Sequence, residues 1–193
     1  MAMPALESRT WTVEEVQALP DDGNRYECID GALFVSPAPA PRHQQALLEL
    51  AVMLKQYAER EQHVGWVWIA PHDLVLGPRT VVQPDLQVHS AGPTATRKQR
   101  AARALLIVEV LSPSTARLDR QDKRKLYLRD ATASYWIVDL AAELVEVWTP
   151  QDDRPHVVSD TLTWNPEGAT AAFTLALPAF FTVANAWEHY PRT

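Results

Sequence analysis

Leu105-Leu106-Ile107-Val108-Glu109-Val110-Leu111 is the stretch whose reading decides the fold. Apart from Glu109 it is unbroken aliphatic chain, and Ser112-Pro113-Ser114-Thr115 ends it. A short apolar run bounded by turn residues marks a strand covered on both faces. Such a strand needs a layer above and a layer below, so it predicts a central sheet between helices. Glu109 is the exception inside it. A buried carboxylate costs several kcal/mol unless it is paired or bound to a metal. Two readings follow. Either Glu109 serves chemistry, where local rules are commonly broken, or it forms a structural ion pair with one of the many arginines.

Downstream, Asp119 to Asp130 reads as a helix. Helical spacing puts Asp119, Lys123 and Tyr127 on one face. Lys123 then points back at the sheet end and Lys125 away from it. The competing reading of Lys123 is a surface ion pair with Asp119. Tyr135 to Asp139 and Leu144 to Trp148 read as a further pair of strands joined near Ala141.

Upstream, the strand-like runs are Gly65 to Ala70 with Asp73 to Leu76, and Val81 to His89. Pro84 inside the last removes a donor and favours extended backbone at Gln83. Asp85 is thereby placed at a strand entry. Pro41 opens a helix in which Leu47, Leu50, Ala51, Leu54, Tyr57 and Ala58 recur at helical spacing. Tyr26 to Val35 alternates around Asp30-Gly31, a type I′ hairpin signature, with Glu27 on its first arm. Thr12 to Ala18 reads as a short helix capped by Thr12 and Glu15. Past Pro150 the pattern weakens, with a strand expected near Ala172 to Leu177 and a short helix after Phe181. The predicted fold class is α/β, or α+β with a mixed sheet: a central mixed β-sheet flanked by helices. One domain over 1–193 is expected, with its core at about 11–150 and a C-terminal extension at 151–193.

Composition sets the outer limits. The 193 residues are 47% hydrophobic and 22% charged, enough for a proper core. Cys28 is the only cysteine, so an internal disulfide and a cysteine-built zinc site are excluded. That suits a reducing compartment. Residues 1–9 lack a signal-peptide core, and no window approaches a membrane span. A cytoplasmic protein with no membrane partner is expected. The net charge of −6 argues against broad coating of nucleic acid. Positive residues nevertheless concentrate between Arg97 and Arg129, including Arg97, Lys98, Arg100, Arg103, Arg117, Arg120, Arg124 and Arg129. These are either solvated surface charge or a local phosphate-facing patch.

Two carboxylates and a lysine form a chemical kit. Hard carboxylate oxygens suit magnesium, which binds a phosphate and activates water, and a lysine adds positive charge. Tyr26-Glu27-Cys28-Ile29-Asp30-Gly31, Pro39-Ala40-Pro41-Arg42-His43, Val82-Gln83-Pro84-Asp85 and Val108-Glu109-Val110-Leu111-Ser112-Pro113-Ser114 are the first motifs of a wider pattern. Lys123 four before Tyr127 and Tyr135-Trp136-Ile137-Val138-Asp139 complete it. Together they resemble the Uma-type restriction endonucleases of the PD-(D/E)XK nuclease superfamily. The resemblance runs from about Trp11 to Trp148, with an echo at Leu177-Pro178. It implies a restriction endonuclease-like core, Asp85 and Glu109 as ligands of Mg2+ or Mn2+, and the Val110 carbonyl as a further ligand. It implies Glu27 as an acidic residue beside the same centre. The superfamily motif has lysine two residues after the glutamate, where this chain has Leu111. The family often moves the lysine to the following helix, which Lys123 matches, with Lys125 the alternative.

The expected function is a metal-dependent endonuclease acting on DNA, with Asp85, Glu109, Lys123 and Glu27 catalytic. A homodimer is expected from the resemblance. The alternative is a catalytically inactive nuclease-fold module that binds nucleic acid or protein. His43 reads as a helix-end or packing residue, or as a phosphate contact or support for Glu27. His72 and His89 lack a zinc pattern. Ser112 and Ser114 lack the glycines of a nucleophile elbow and read as a strand-to-helix turn near a phosphate. Trp66, Trp68, Trp136 and Trp148 are expected in the core or at a dimer contact rather than under bases.

Overall fold

The computed structural model of the chain describes residues 9–61, 63–91 and 104–186. The cluster Arg97, Lys98, Arg100 and Arg103 lies outside them.

The chain enters through α1 (Val13–Gln17). Thr12 Oγ1 accepts from the Glu15 amide, and the Glu15 carboxylate accepts from the Thr12 amide, the expected capping box. Strands β1 (Arg25–Ile29) and β2 (Ala32–Ser36) form the expected hairpin. Its turn residues Asp30 and Gly31 have φ of 50° and 89°, the left-handed pair that a type I′ turn requires. Helix α2 (Pro41–Ala58) follows.

Strands β3 (Val64–Ile69), β4 (Leu74–Gly77), β5 (Thr80–Val82), β6 (Leu86–Ser90) and β7 (Leu106–Val110) come next. The single strand expected over Val81 to His89 is two strands in two sheets. Strand β5 belongs to a four-stranded sheet ordered β2-β1-β5-β4. Strand β6 belongs to a six-stranded one. Pro84 carries no amide proton to continue a ladder, so Gln83-Pro84-Asp85 becomes the crossing between the sheets.

The expected helix over Asp119 to Asp130 begins earlier and changes pitch. It runs as α3 (Ala116–Leu118), a wide π-helical turn (Asp119–Lys123) and α4 (Arg124–Asp130). Strands β8 (Tyr135–Asp139) and β9 (Leu144–Trp148) are as expected. The weakly patterned C-terminal part adds β10 (His156–Val158) and β11 (Thr161–Trp164), which were not expected, then β12 (Phe173–Ala176). The last helix, α5 (Leu177–Asn185), starts before Phe181 because Pro178 suits a first helical turn.

The central sheet has the order β10-β9-β8-β7-β6-β3. Only β7 and β8 among its pairs run parallel, joined by the helical crossover. It is therefore a mixed sheet flanked by helices. Every residue of β7 is buried, as its apolar run demanded. Strand alternation splits it between two cores. Leu106, Val108 and Val110 pack with Leu47, Leu50 and Leu54 of α2 and Phe180 and Phe181 of α5. Ile107 packs with Leu126 and Tyr127 of α4. Glu109 lies on that second face. Trp136 and Trp148 are buried as expected, whereas Trp66 on the outer strand β3 is 47% exposed. No helix among the described residues is long and apolar enough to cross a membrane.

Candidate active site

Glu109 is reached from three directions. The Lys123 ammonium lies 3.0 Å from its Oε1. The Tyr127 hydroxyl donates to the same oxygen at 2.8 Å. The Asp85 amide donates to Oε2 at 3.2 Å. Lys123 is 1% exposed and its amine also contacts Glu27 Oε1 at 2.8 Å and Asp119 Oδ1 at 3.8 Å. The face predicted for Asp119, Lys123 and Tyr127 is thus the face that meets the sheet. The Asp119–Lys123 contact exists, but it is buried and not a surface pair. Lys125 is exposed.

Glu27 reaches the cluster from the other sheet. Its Oε1 also accepts from the Gln83 amide at 2.7 Å, tying the end of β5 to β1. Asp85 stands at the seam. Arg25 Nη1 donates to its Oδ1 at 2.8 Å. His43 Nε2 and the Val110 amide lie 2.9 Å from its Oδ2. Val110 thus meets the site through its N–H.

Asp85, Glu109, Lys123 and Glu27 are all buried and line one cleft of about 210 Å³ with Arg25 and His43. Ser112, Ser114 and Thr115 line it too, their hydroxyls bonded to one another at 2.9 Å. Three residues of the basic run have partners within the chain. Arg120 pairs with Asp139 and Glu146, Arg124 lies over the Trp148 ring, and Arg129 pairs with Asp130.

The electrostatics follow from burial and crowding. Burial acts to raise Asp85, but His43 and Arg25 outweigh it and hold the carboxyl well below the usual range. Burial raises Glu109 well above its ordinary value; Lys123 opposes this, and Asp85, Asp119 and Glu27 add to it. Asp119 is raised to about 6, again first by burial. Lys123 goes up despite burial, because Glu109, Glu27 and Asp119 surround it.

Four buried carboxylates (Glu27, Asp85, Glu109, Asp119) share two permanent cations, Arg25 and Lys123. Asp119 Oδ1 is buried with no hydrogen-bond donor among the described residues. This excess negative charge on hard oxygens fits a divalent cation in charge and donor chemistry. Among the described residues, however, no three His, Cys, Asp or Glu side chains stand ready around one point. The Asp85 and Glu109 oxygens are turned to Arg25, His43, Lys123 and Tyr127.

A family model described as "Uma2: Putative restriction endonuclease" matches residues 13–183. The chain belongs to the Uma2 family. This is a nuclease family, and the match extends well past the Trp148 limit of the motif-based resemblance. A crystal structure of a "putative nuclease belonging to DUF820" from Anabaena variabilis superposes on this Uma2 chain with a TM-score of 0.74. The two are 20% identical, over 90% of this chain and 99% of that one. At that identity the likeness shows the fold. No curated protein matches the chain.

Arg25 and Asp119 are the site neighbours of this Uma2 chain that its motifs did not single out as functional. Arg25 had a signal, since strand alternation puts it on the face of Glu27. From the sequence His43 reads as a helix-end or packing residue, or as a phosphate contact or support for Glu27; its bond to Asp85 spans 42 positions and has no local signature.

Proposed function

We propose that this chain is a divalent-cation-dependent endonuclease that hydrolyses phosphodiester bonds of DNA. The observation that carries the reading is the convergence of Asp85, Glu109, Glu27 and Lys123, from two sheets and a helix, on one cleft. A Mg2+ or Mn2+ ion held by Asp85, Glu109 and the Val110 carbonyl would supply Lewis acidity and neutralise charge on the reacting phosphate. The other tasks fall to the chain. Glu27 and Glu109 hold the Lys123 ammonium where it stabilises developing negative charge and orients the attacking water. Tyr127 fixes Glu109, and His43 and the Val110 amide fix Asp85. We further propose that it works in the cytoplasm as a homodimer, so that each copy attacks one strand of a duplex.

One observation favours the rival reading, a nuclease fold kept as a binding module: the key carboxylates already have protein partners and no three-residue metal group stands assembled. A single experiment separates the two. Purified protein is incubated with supercoiled plasmid and magnesium, beside an EDTA control and the variants Asp85→Asn, Glu109→Gln and Lys123→Met. The nuclease reading expects magnesium-dependent nicking that falls by about a hundredfold or more in each variant. Persistent failure to cut duplex, single-stranded DNA or RNA, with intact duplex binding, establishes the module instead.

A further inference from the structure

Arg25 does not belong where a metal ligand works. Its Nη1 sits 2.8 Å from Asp85 Oδ1, the oxygen a cation would approach. The other Asp85 oxygen already has two partners, His43 Nε2 and the Val110 amide. Of the three partners, Val110 N–H is fixed in strand β7 and His43 is packed into α2 at 9% side-chain exposure. Arg25 is the long, flexible one. Its side chain is 18% exposed and lines the cleft. Its other hydrogen bond, to the Gln83 carbonyl, is a long 3.3 Å.

A guanidinium and a divalent ion repel each other when they share one carboxylate oxygen. An ion bound to Asp85 therefore displaces Arg25. The freed side chain then has the cleft as its outlet, and a planar two-pronged donor is well matched to phosphate oxygens.

We propose that Arg25 is an exchangeable counter-ion, which holds Asp85 in the ion-free protein and passes to a backbone phosphate of the nucleic acid when a divalent cation takes its place. It is then a substrate-binding residue coupled to the metal site. Because the same side chain opposes the ion and binds the substrate, ion and nucleic acid favour each other's binding. This rests on the nuclease reading and adds to it the group that links metal to substrate.

The test uses Arg25→Gln and Arg25→Lys with Mn2+ alone, followed by calorimetry, and with a short DNA duplex in calcium or in EDTA. Arg25→Gln is expected to bind Mn2+ about tenfold tighter than wild type, since a charge-assisted hydrogen bond to the ligand oxygen is gone. In calcium, its duplex affinity should fall, and the slope of log K against log salt should lose about one phosphate contact. In EDTA the slope should match wild type, and Arg25→Lys should fall between the two. Unchanged or weaker Mn2+ binding in Arg25→Gln overturns the exchange, as does an unchanged slope in calcium. If the variants do not fold, a crystal of the wild-type protein with Mn2+ decides: a guanidinium still hydrogen-bonded to Asp85 beside the ion overturns it. Wild-type protein that binds no Mn2+, or binds it equally well as Asp85→Asn, removes the nuclease reading and the exchange together. Wild-type binding that depends on Asp85, without a gain in Arg25→Gln, removes the exchange alone.

Discussion

Asp119→Asn is expected to stabilise the metal-free protein above neutral pH. Asp119 is 2% exposed, its Oδ1 has no hydrogen-bond donor among the described residues, and the cation it pairs with, Lys123, is 3.8 Å away and shared with Glu27 and Glu109. Its pKa is raised from 3.8 to about 6, with burial the leading cause. The folded protein therefore holds a proton there that the unfolded chain releases. A group raised in this way favours folding fully below pH 3.8, and that contribution is lost as pH rises through about 6. A shift of roughly two units corresponds to about 3 kcal/mol at most, for a site this buried. Asparagine keeps the shape without the charge. At pH 8 in EDTA it should gain on the order of 1–3 kcal/mol over wild type, and at pH 3.5 the two should be nearly equal. Urea unfolding at both pH values reads this directly. A variant less stable than wild type at pH 8, or a gain of equal size at both pH values, refutes the argument that Asp119 is an unbalanced charge.

Lys123→Met should cost about 3–5 kcal/mol in urea unfolding, because it strands Glu27, Glu109 and Asp119 without their shared ammonium; a loss under 1 kcal/mol would mean that the carboxylates already carry protons enough. Tyr127→Phe should cost about 1–3 kcal/mol by removing the buried donor to Glu109 Oε1. Its loss should grow with rising pH, as Glu109 gives up its proton and the bond becomes charge-assisted. Gly31→Ala should lose about 1–2 kcal/mol of stability, since its φ of +89° is unfavourable for a residue with a side chain. Its new Cβ would also meet Thr10 Cγ2 at 2.5 Å.

Local physics, and so the sequence, determined the elements and the chemistry they carry. A seven-residue aliphatic run interrupted by one glutamate implies a doubly covered strand with a functional or paired acid, and β7 is such a strand. Asp30-Gly31 permits a type I′ turn, and Thr12 with Glu15 a capping box; both are there. Helical spacing put Lys123 and Tyr127 on one face, and that face meets Glu109. What the sequence could not convey was which charge partners which. Arg25 and Asp85 are 60 positions apart and His43 and Asp85 are 42 apart. Their meeting depends on how two sheets dock at the Gln83-Pro84-Asp85 crossing. The pattern of apolar residues along a strand records burial and face, but not which strand of another sheet lies opposite. Tertiary structure alone therefore decided that Asp85 is held by two basic side chains, and that Lys123 serves three carboxylates at once. Electrostatic energy depends on distance through space, and a linear pattern does not encode that distance.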